Sequence, residues 1–577
     1  MAKAKSTKAV SPELADEATS PPRNPASSLL FSRFTLVGLT SLLLCAVIYW
    51  LRFNTVFGHP YVDDAYYLLL GKALANGQPY ALINTPVTGI MPIYPPVYPW
   101  LLSLLFRVAP QFPQNLWLFK LVPVVSMILL GPICFYYFRR VRNVPQWAAY
   151  LLAFFTIANP SLIFFATSTL MSECFYMLLQ TCALLAAGLG AEHWHAQEKS
   201  NEPSTKQAGK QAGGLRWAVL TGVLMSAAFM TRSIGVTLVA AILGAWLLRR
   251  WWKPLLVAGA IVAVTAGPWQ LYARAHAPSE TDKQAQQGYI TQSYLVQFWQ
   301  RAAGEADMGN ITPGEIPARI GHNIAQIAGE KFGLLIASRV LLIAGPSALG
   351  FLSVILFLLA LIGWIACLRE GIGEAELYIA ASITLIILWP WEPTRFLLPL
   401  TPWLLFYVIR GGQVLLGLRK RSATSTQSLP AWSIATVFMA LLIALNLLSN
   451  FDFIGSLDAQ GRRKAGELGE FTEIEEMMKW VNQNVAENEL CASLNPGLVY
   501  LYTNRKTVSA QDPLGNWEQW KAWGVRYLVL TTRYGVPPQD SAGKPIRVAW
   551  QSKRVPMLRV IDLGTPNERA PWPASMK

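Results

Sequence analysis

The chain has 577 residues, of which 53% are hydrophobic and only 14% charged, with 22 Trp, 20 Tyr and a formal net charge of +15. That balance excludes a soluble globular protein and fits a polytopic membrane protein, mainly α in fold class. The positive charge follows the loops between apolar runs, so it reads as a topology signal and gives no reason to expect a nucleic-acid partner.

Residues 1–33 are polar, basic and rich in Ser, Pro and Ala, and read as a disordered tail. The tail stays attached, because the apolar run behind it is too long for the h-region of a cleavable signal. Apolar runs predict spans near 34–52, 116–138, 147–166, 171–190, 216–232 and 234–250. Further spans are expected near 255–273, 348–368, 376–390, 396–410 and 430–448. The stretches 95–109 and 333–346 are apolar but hold Pro or Arg, so each is an interfacial helix or a further span. The expected total is about 11–13 transmembrane helices.

Basic residues orient these spans. Lys3, Lys5, Lys8, Arg23 and Arg33 precede the first; Arg139, Arg140 and Arg142 follow the second; Lys199, Lys206, Lys210 and Arg216 follow the fourth. Arg249, Arg250, Lys253, Arg369, Arg410, Arg419, Lys420 and Arg421 fall on the same side. The positive-inside rule makes that side, and the N-terminus, cytoplasmic in an inner (cytoplasmic) membrane. The membrane domain then runs over 34–449. Its loops 53–115 and 274–333, the region of Glu173, the Trp391–Arg395 turn and everything after 449 are extracytoplasmic.

From residue 450 the composition becomes that of a soluble domain. Phe471–Val485 has helical spacing, and Glu489–Ser493, Thr507–Ala510, Val525–Thr531 and Met557–Leu563 read as strands, with a helix near Trp517–Trp523. This predicts a small extracytoplasmic α/β domain over 450–577, a lid or acceptor-docking module without catalytic residues. Of the six cysteines, only Cys491 falls in that domain, so no disulfide framework is implied. The five histidines lack metal-ligand spacing, and no Gly-rich phosphate loop supports a nucleotide as direct substrate.

The acidic pair Asp63-Asp64, directly after the first span, is the main candidate for chemistry. On a structural reading Asp63 caps a helix from Asp64 to Asn76, the macrodipole favours Asp64, and Gly77 ends the helix. One cap needs one Asp, however, and a second carboxylate pressed against the bilayer adds a desolvation cost with no structural return.

The order V-D-D-A-Y-Y, then G-Q-P-Y, then Y-P-P-V-Y-P-W-L-L resembles the first external loop of GT-C class membrane glycosyltransferases. Within that class it is most similar to the bacterial branch that holds the aminoarabinose transferase of lipid A and relatives of protein O-mannosyltransferases. The resemblance continues through Ser172-Glu173, Met230–Gly235 and Arg395–Pro402, and so covers most of residues 34–410. It implies the GT-C fold. It also implies inverting transfer of a hexosyl or pentosyl group from a polyprenyl-phosphate carrier to an envelope acceptor (lipid A, glycan or protein) on the outer face of the membrane. By the family pattern Asp63 matches the catalytic base and Asp64 a second acidic residue that organises the site. Spacing alone leaves open which of the two acts.

The residue types suit that role. A lipid phosphate is already a good leaving group, so displacement needs a base for the acceptor proton but no strong general acid. Burial and a neighbouring carboxylate are expected to raise the pKa of one member of the pair. Arg232 matches a basic residue of the family and would stabilise charge on the departing phosphate; its structural reading is an arginine that snorkels to water. Arg395 either binds phosphate or pairs with Glu392 at i, i+3. Lys72 reaches the phosphate or is an exposed helical lysine.

Glu173 is taken as a site residue because an acidic residue of this loop faces the active site in the family. It does not belong to a capping box, since Leu170 stands three residues before it. A divalent cation shared by Asp63, Asp64 and Glu173 is the cofactor considered, unassigned because no D-x-D triplet is present. Tyr66, Tyr67, Tyr94 and Tyr98, with Trp100, line a sugar or isoprenoid groove or form an interfacial belt. The segment 274–333 is long for an idle connector, and similar enzymes close it over the carrier. Pentose, hexose and amino-sugar donors stay open. The competing readings are a flippase of lipid-linked sugars, although no internal repeat is detected, and a noncatalytic assembly subunit.

Overall fold

The computed structural model describes residues 25–58, 61–86, 89–198, 205–303, 308–417, 429–457, 467–510, 520, 522–532 and 546–564. Residues 1–24 of the tail expected over 1–33, the basic stretches 199–204 and 418–428, and most of the helix expected near Trp517–Trp523 lie outside the described residues. So do residues 304–307 of the long loop, and 458–466 and the end of the C-terminal domain.

Each expected apolar run is helical over most of its length. The chain begins with α1 (Pro25–Arg52), α2 (Asp63–Ala75), α3 (Val97–Val108), α4 (Leu116–Tyr136), α5 (Gln146–Ile157), α6 (Pro160–Ser168) and α7 (Glu173–Glu198). It continues with α8 (Thr205–Phe229), α9 (Val236–Leu248) and α10 (Trp252–Ala275), then the short α11 (Glu280–Ala285) and α12 (Tyr294–Trp299). Next come α13 (Ile316–Gln326), α14 (Phe332–Ala337), α15 (Arg339–Glu370), α16 (Glu374–Leu388), α17 (Thr394–Leu397), α18 (Thr401–Leu415) and α19 (Leu429–Gly455). α1 starts at Pro25, inside the stretch expected to be a tail. A proline at the first helical position gives up no hydrogen bond, and the Ala/Ser/Leu run behind it is compatible with helix.

Among the described residues five helices are long and apolar enough to cross a membrane, and six if α5 and α6 count as one bent span. The bend there is 46°. Pro160 cannot continue α5, and the Asn159 side chain caps α6 by accepting from the amides of Ser161 and Leu162. Other expected spans are shorter: the 13 residues of α9 rise roughly 20 Å against a ~30 Å hydrocarbon core. Leu43, Val264, Leu271, Leu342, Phe351 and Val437 are each more than half exposed. Such an apolar outer surface belongs in lipid, and the chain is an integral membrane protein. Where α15 crosses α18 the backbones touch. A Cβ on Gly363 would fall 1.9 Å from the Tyr407 carbonyl oxygen, and one on Gly411 1.9 Å from that of Leu359.

The C-terminal part holds α20 (Glu467–Asn484), β1 (Leu490–Ser493), α21 (Pro496–Thr503), β2 (Thr507–Ser509), β3 (Val525–Leu530), β4 (Arg547–Gln551) and β5 (Arg559–Asp562). The sheet order is β2-β1-β3-β5-β4, with β1 parallel to β2 and β3, and β5 antiparallel to β3 and β4. All four expected strands are present. The strand the sequence reading missed, β4, lies at the edge, where one row of backbone groups is unpaired and side-chain alternation is weak.

The opposite edge, β2, is covered by the membrane domain. Thr507 and Asn84 exchange hydrogen bonds, with the Thr507 amide donating to the Asn84 carbonyl at 2.7 Å and Asn84 Nδ2 donating to the Thr507 carbonyl at 3.1 Å. Asn495 Nδ2 donates to the Gly58 carbonyl at 2.7 Å, and Ser509 Oγ to the Gln287 carbonyl at 3.2 Å. The small domain therefore grips three separate segments of the membrane domain, those carrying Gly58, Asn84 and Gln287.

Candidate functional site

α2 begins at Asp63 itself. The residue before it, Val62, makes no side-chain cap, and neither aspartate caps the helix, contrary to the structural reading of Asp63; Gly77, at φ +71°, does end it. The two carboxylates turn to different surroundings. Asp63 is buried, with Oδ1 accepting from the hydroxyls of Tyr94, at 2.8 Å, and Tyr289, while Oδ2 accepts from Arg395 at 2.9 Å. Asp64 turns into the protein. Its Oδ2 accepts from the amides of Leu170, at 2.9 Å, and Gly58, at 3.3 Å, and the Lys120 ammonium acts on it from α4.

These surroundings split the pair electrostatically. Burial pushes the Asp63 carboxyl up, but the Arg395 charge and the hydrogen bonds from Tyr289, Tyr94 and Arg395 outweigh it and hold the group below the ordinary carboxylate value. Burial pushes Asp64 up, and the Leu170 and Gly58 amides and Lys120 offset this only in part.

Arg232 stands at a break between α8 and the 3-10 turn Ser233–Gly235, with an extended backbone at φ −145° and ψ 132°. Its guanidinium pairs with Glu173, the fully buried first residue of α7, at 2.8 Å, and donates to Ser172 Oγ at 3.1 Å. Ser172 Oγ in turn lies 3.1 Å from the Tyr67 hydroxyl. Asp63, Tyr67, Tyr94, Arg232 and Arg395 line one cavity of about 270 Å³, together with Ser233, Tyr289, Tyr294, Gln297, Trp389 and Trp391.

No protein-family model and no curated protein matches the sequence. Solved structures do match. ArnT from Cupriavidus metallidurans bound to undecaprenyl phosphate is 11% identical over 91% of this chain and 98% of its own, with a TM-score of 0.52. Its apo state is 12% identical over 93% and 98%, again at 0.52. The Archaeoglobus fulgidus oligosaccharyltransferase in the apo form is 15% identical over 85% of this chain and 69% of its own, at 0.51. The chain has the GT-C fold.

Within this GT-C fold the residues singled out from sequence separate into two groups. Asp63, Tyr67, Tyr94, Arg232 and Arg395 face the cavity; Asp64, Glu173, Tyr66 and Lys72 do not line it. Tyr66 is buried and accepts from Gln286 Nε2 at 3.0 Å. Lys72 points to the C-terminal domain, its ammonium 5.2 Å from the centre of the Tyr500 ring, so it neither reaches the cavity nor stands free as an exposed helical lysine. Tyr98 donates to the Leu170 carbonyl at 3.3 Å, and Trp100 is 55% exposed, as an interfacial residue would be. The expected Glu392–Arg395 pair does not form: Glu392 pairs with Lys331 at 3.1 Å and Arg395 with Asp63. Glu392 lies outside the four-residue α17, where i, i+3 geometry does not hold.

Sequence reasoning missed Tyr289, Tyr294, Gln297, Trp389 and Trp391. The available signals were the aromatic residues of G-Y-I-T-Q-S-Y in the long loop and the W-P-W that precedes Arg395. The fit of a divalent cation is poor. Among the described residues no three His, Cys, Asp or Glu side chains are placed to hold a metal ion. Each of the three carboxylates considered for it faces a cation of the chain: Asp63 with Arg395, Asp64 with Lys120, Glu173 with Arg232.

Proposed function

We propose that this GT-C protein is an inverting glycosyltransferase that moves a hexosyl or pentosyl group from a polyprenyl-phosphate carrier to an envelope acceptor, with Asp63 as general base. One observation carries the reading. Among the described residues Asp63 is the only carboxylate lining a cavity that two arginines also line. The shared fold adds support, since ArnT was solved with undecaprenyl phosphate bound.

The acceptor hydroxyl attacks the anomeric carbon from the face opposite the phosphate, Asp63 takes its proton, and the C–O bond to phosphate breaks with its electron pair leaving on oxygen. Arg232 stabilises the charge that develops there, a stabilisation worth most in the transition state. Glu173 and Ser172 aim Arg232. The hydroxyl that gives up its proton takes the place of the Tyr289 hydroxyl on Asp63 Oδ1. Lipid A, a glycan and a protein each present such a hydroxyl. The site faces the extracytoplasmic side in this reading, as does the C-terminal domain, with the N-terminus in the cytoplasm. In support, Arg249 follows α9 at the end of that helix opposite Arg232.

The test is transfer from a polyprenyl-phosphate sugar by the purified, reconstituted protein, together with mass spectrometry of envelope glycans and glycolipids from cells with and without it. Asp63→Asn should abolish transfer while carrier binding and folding persist. A flippase or an assembly subunit would tolerate that substitution, and full activity in the variant would reject the reading.

A further inference from the structure

We propose that Arg319 and Asn323, on the loop helix α13, are positioning residues that assemble the aromatic wall of the cavity before the carrier arrives, an inference that rests on the glycosyl-transfer reading and sharpens it. Neither side chain lines the cavity. The wall comes from two segments far apart in the chain: Tyr289, Tyr294 and Gln297 from the long loop, and Trp389 and Trp391 from the end of α16 and the turn after it. Among the described residues no backbone hydrogen bond joins these two segments. α13 supplies the join.

The need for it lies in the helix ends. The last carbonyls of a helix have no intrahelical partner, and Pro390, directly after Trp389, has no amide to offer those of α16. Asn323 Nδ2 donates to the carbonyls of Ile387, at 2.9 Å, and Trp389, at 3.0 Å, and Arg319 Nη1 reaches that of Leu388 at 3.4 Å. The same guanidinium holds the end of α12, with Nη1 donating to the Phe298 carbonyl at 2.6 Å and Nη2 to that of Gln300. Residues four apart share one helix face, so both side chains meet the same pair of ends. Among the described residues no carboxylate forms an ion pair with Arg319; Glu315, one turn earlier, pairs with Arg301 at 2.8 Å. A guanidinium is a rigid planar fork and can serve carbonyls of two segments at once, which a lysine ammonium cannot match.

This clamp sets the spacing across the wall. The rings of Tyr294 and Trp389 lie 6.0 Å apart, Trp391 Nε1 donates to Gln297 Oε1 at 3.3 Å, and Tyr289 meets the Trp391 ring edge-on at 4.8 Å. The Arg395 guanidinium stands over that same ring, 5.6 Å from its centroid. Asp63 and Arg232 have further anchors that the clamp does not share, Tyr94 for the first and Glu173 and Ser172 for the second. Loss of the clamp therefore disperses the faces that meet the carrier and spares the groups that react. A wall assembled only about a tenth of the time binds about tenfold more weakly.

The experiment uses the full-length protein in nanodiscs, labelled with 5-fluorotryptophan, with undecaprenyl phosphate as the probe. The fluorine signals of Trp389 and Trp391, assigned from Trp389→Phe and Trp391→Phe, report on the wall; those of the buried Trp246 and Trp403 report on the rest of the fold. Asn323→Asp keeps the side chain's shape without its N–H donors, and Arg319→Gln removes the fork. Each should shift or broaden the Trp389 and Trp391 signals alone and weaken undecaprenyl phosphate at least tenfold, about 1.4 kcal/mol. Arg319→Lys, the conservative variant, should fall between Arg319→Gln and the unaltered protein. Unmoved wall signals, or an affinity changed by less than about threefold, overturn the inference. So does movement of all four tryptophan signals together, which would make the two residues general supports of the fold. These outcomes leave the glycosyl-transfer reading intact. Failure of the unaltered protein to bind undecaprenyl phosphate defeats that reading, and this inference with it.

Discussion

Lys120→Met is expected to damage the fold more than any single change in the cavity. Lys120 is fully buried in α4, where its ammonium donates to the carbonyls of Val56 and Thr167 and faces Asp64. Asp64 in turn receives the amides of Gly58 and Leu170. Methionine keeps the length of the side chain and removes its charge. Asp64 is then left buried without a counter-charge, which costs about 3–5 kcal/mol. Asp64→Asn on top of it removes the stranded charge while Asn Oδ1 still accepts from the two amides. The double variant should therefore be more stable than the sum of the single changes predicts, with a coupling of roughly 1–3 kcal/mol. Unfolding free energies of the four proteins in mixed micelles, followed by Trp fluorescence, give the cycle. If Lys120→Met unfolds within about 1 kcal/mol of the unaltered protein, below the usual loss for a broken buried pair, or if the double variant is merely additive, the pair does not brace these segments.

Arg395→Gln removes the charge that holds Asp63 below the ordinary carboxylate value, so burial then dominates and the carboxyl rises. In the unaltered protein the acid limb of the pH–rate profile should lie below the usual Asp value of about 3.9; in the variant it should move to higher pH, and an unmoved limb would contradict the assignment. The stability effect has a definite sign. A lowered folded-state value means the unfolded chain binds more protons in that window, so the contribution of Asp63 is fully present above about 3.9 and is lost as pH falls through the folded-state value. Tyr289→Phe should lower the acceptor KM by up to about tenfold with kcat retained, because the hydroxyl it removes competes for Asp63 at a charged hydrogen bond; loss of kcat would make that hydroxyl part of the chemistry. Gly411→Ala puts a Cβ against the Leu359 carbonyl and should cost about 1–3 kcal/mol or more as α15 and α18 separate, seen as reduced monodisperse yield and earlier unfolding.

Much of the membrane domain was legible because bilayer spans and their basic flanks leave a strong local signal. Asp63, Arg232 and Arg395 could be picked out because each lies where an apolar run ends, next to a distinctive short motif. What the sequence could not separate was Asp63 from Asp64. Adjacent residues in the first turn of a helix point about 100° apart, and which direction meets the cavity depends on Arg395 and Tyr289, far away in the chain. Lys72 misled for a similar reason, since the face it occupies is claimed by α21 and the Tyr500 ring. The aromatic wall of Tyr289, Trp389 and Trp391 was missed because its members belong to two distant segments with no shared periodicity.

The three hydrogen-bonded seams between the sheet domain and the membrane domain bear on how freely the two could be recombined. One seam holds Gly58, whose amide binds Asp64; another holds Asn84, in the loop that leads to Tyr94; the third holds Gln287, two residues before Tyr289. A chimera with a foreign tail, or a membrane half expressed alone, would inherit these segments with their carbonyls facing solvent and their tyrosines unanchored. The terminal domain behaves less as an exchangeable module than as a brace behind the segments that carry the cavity's side chains.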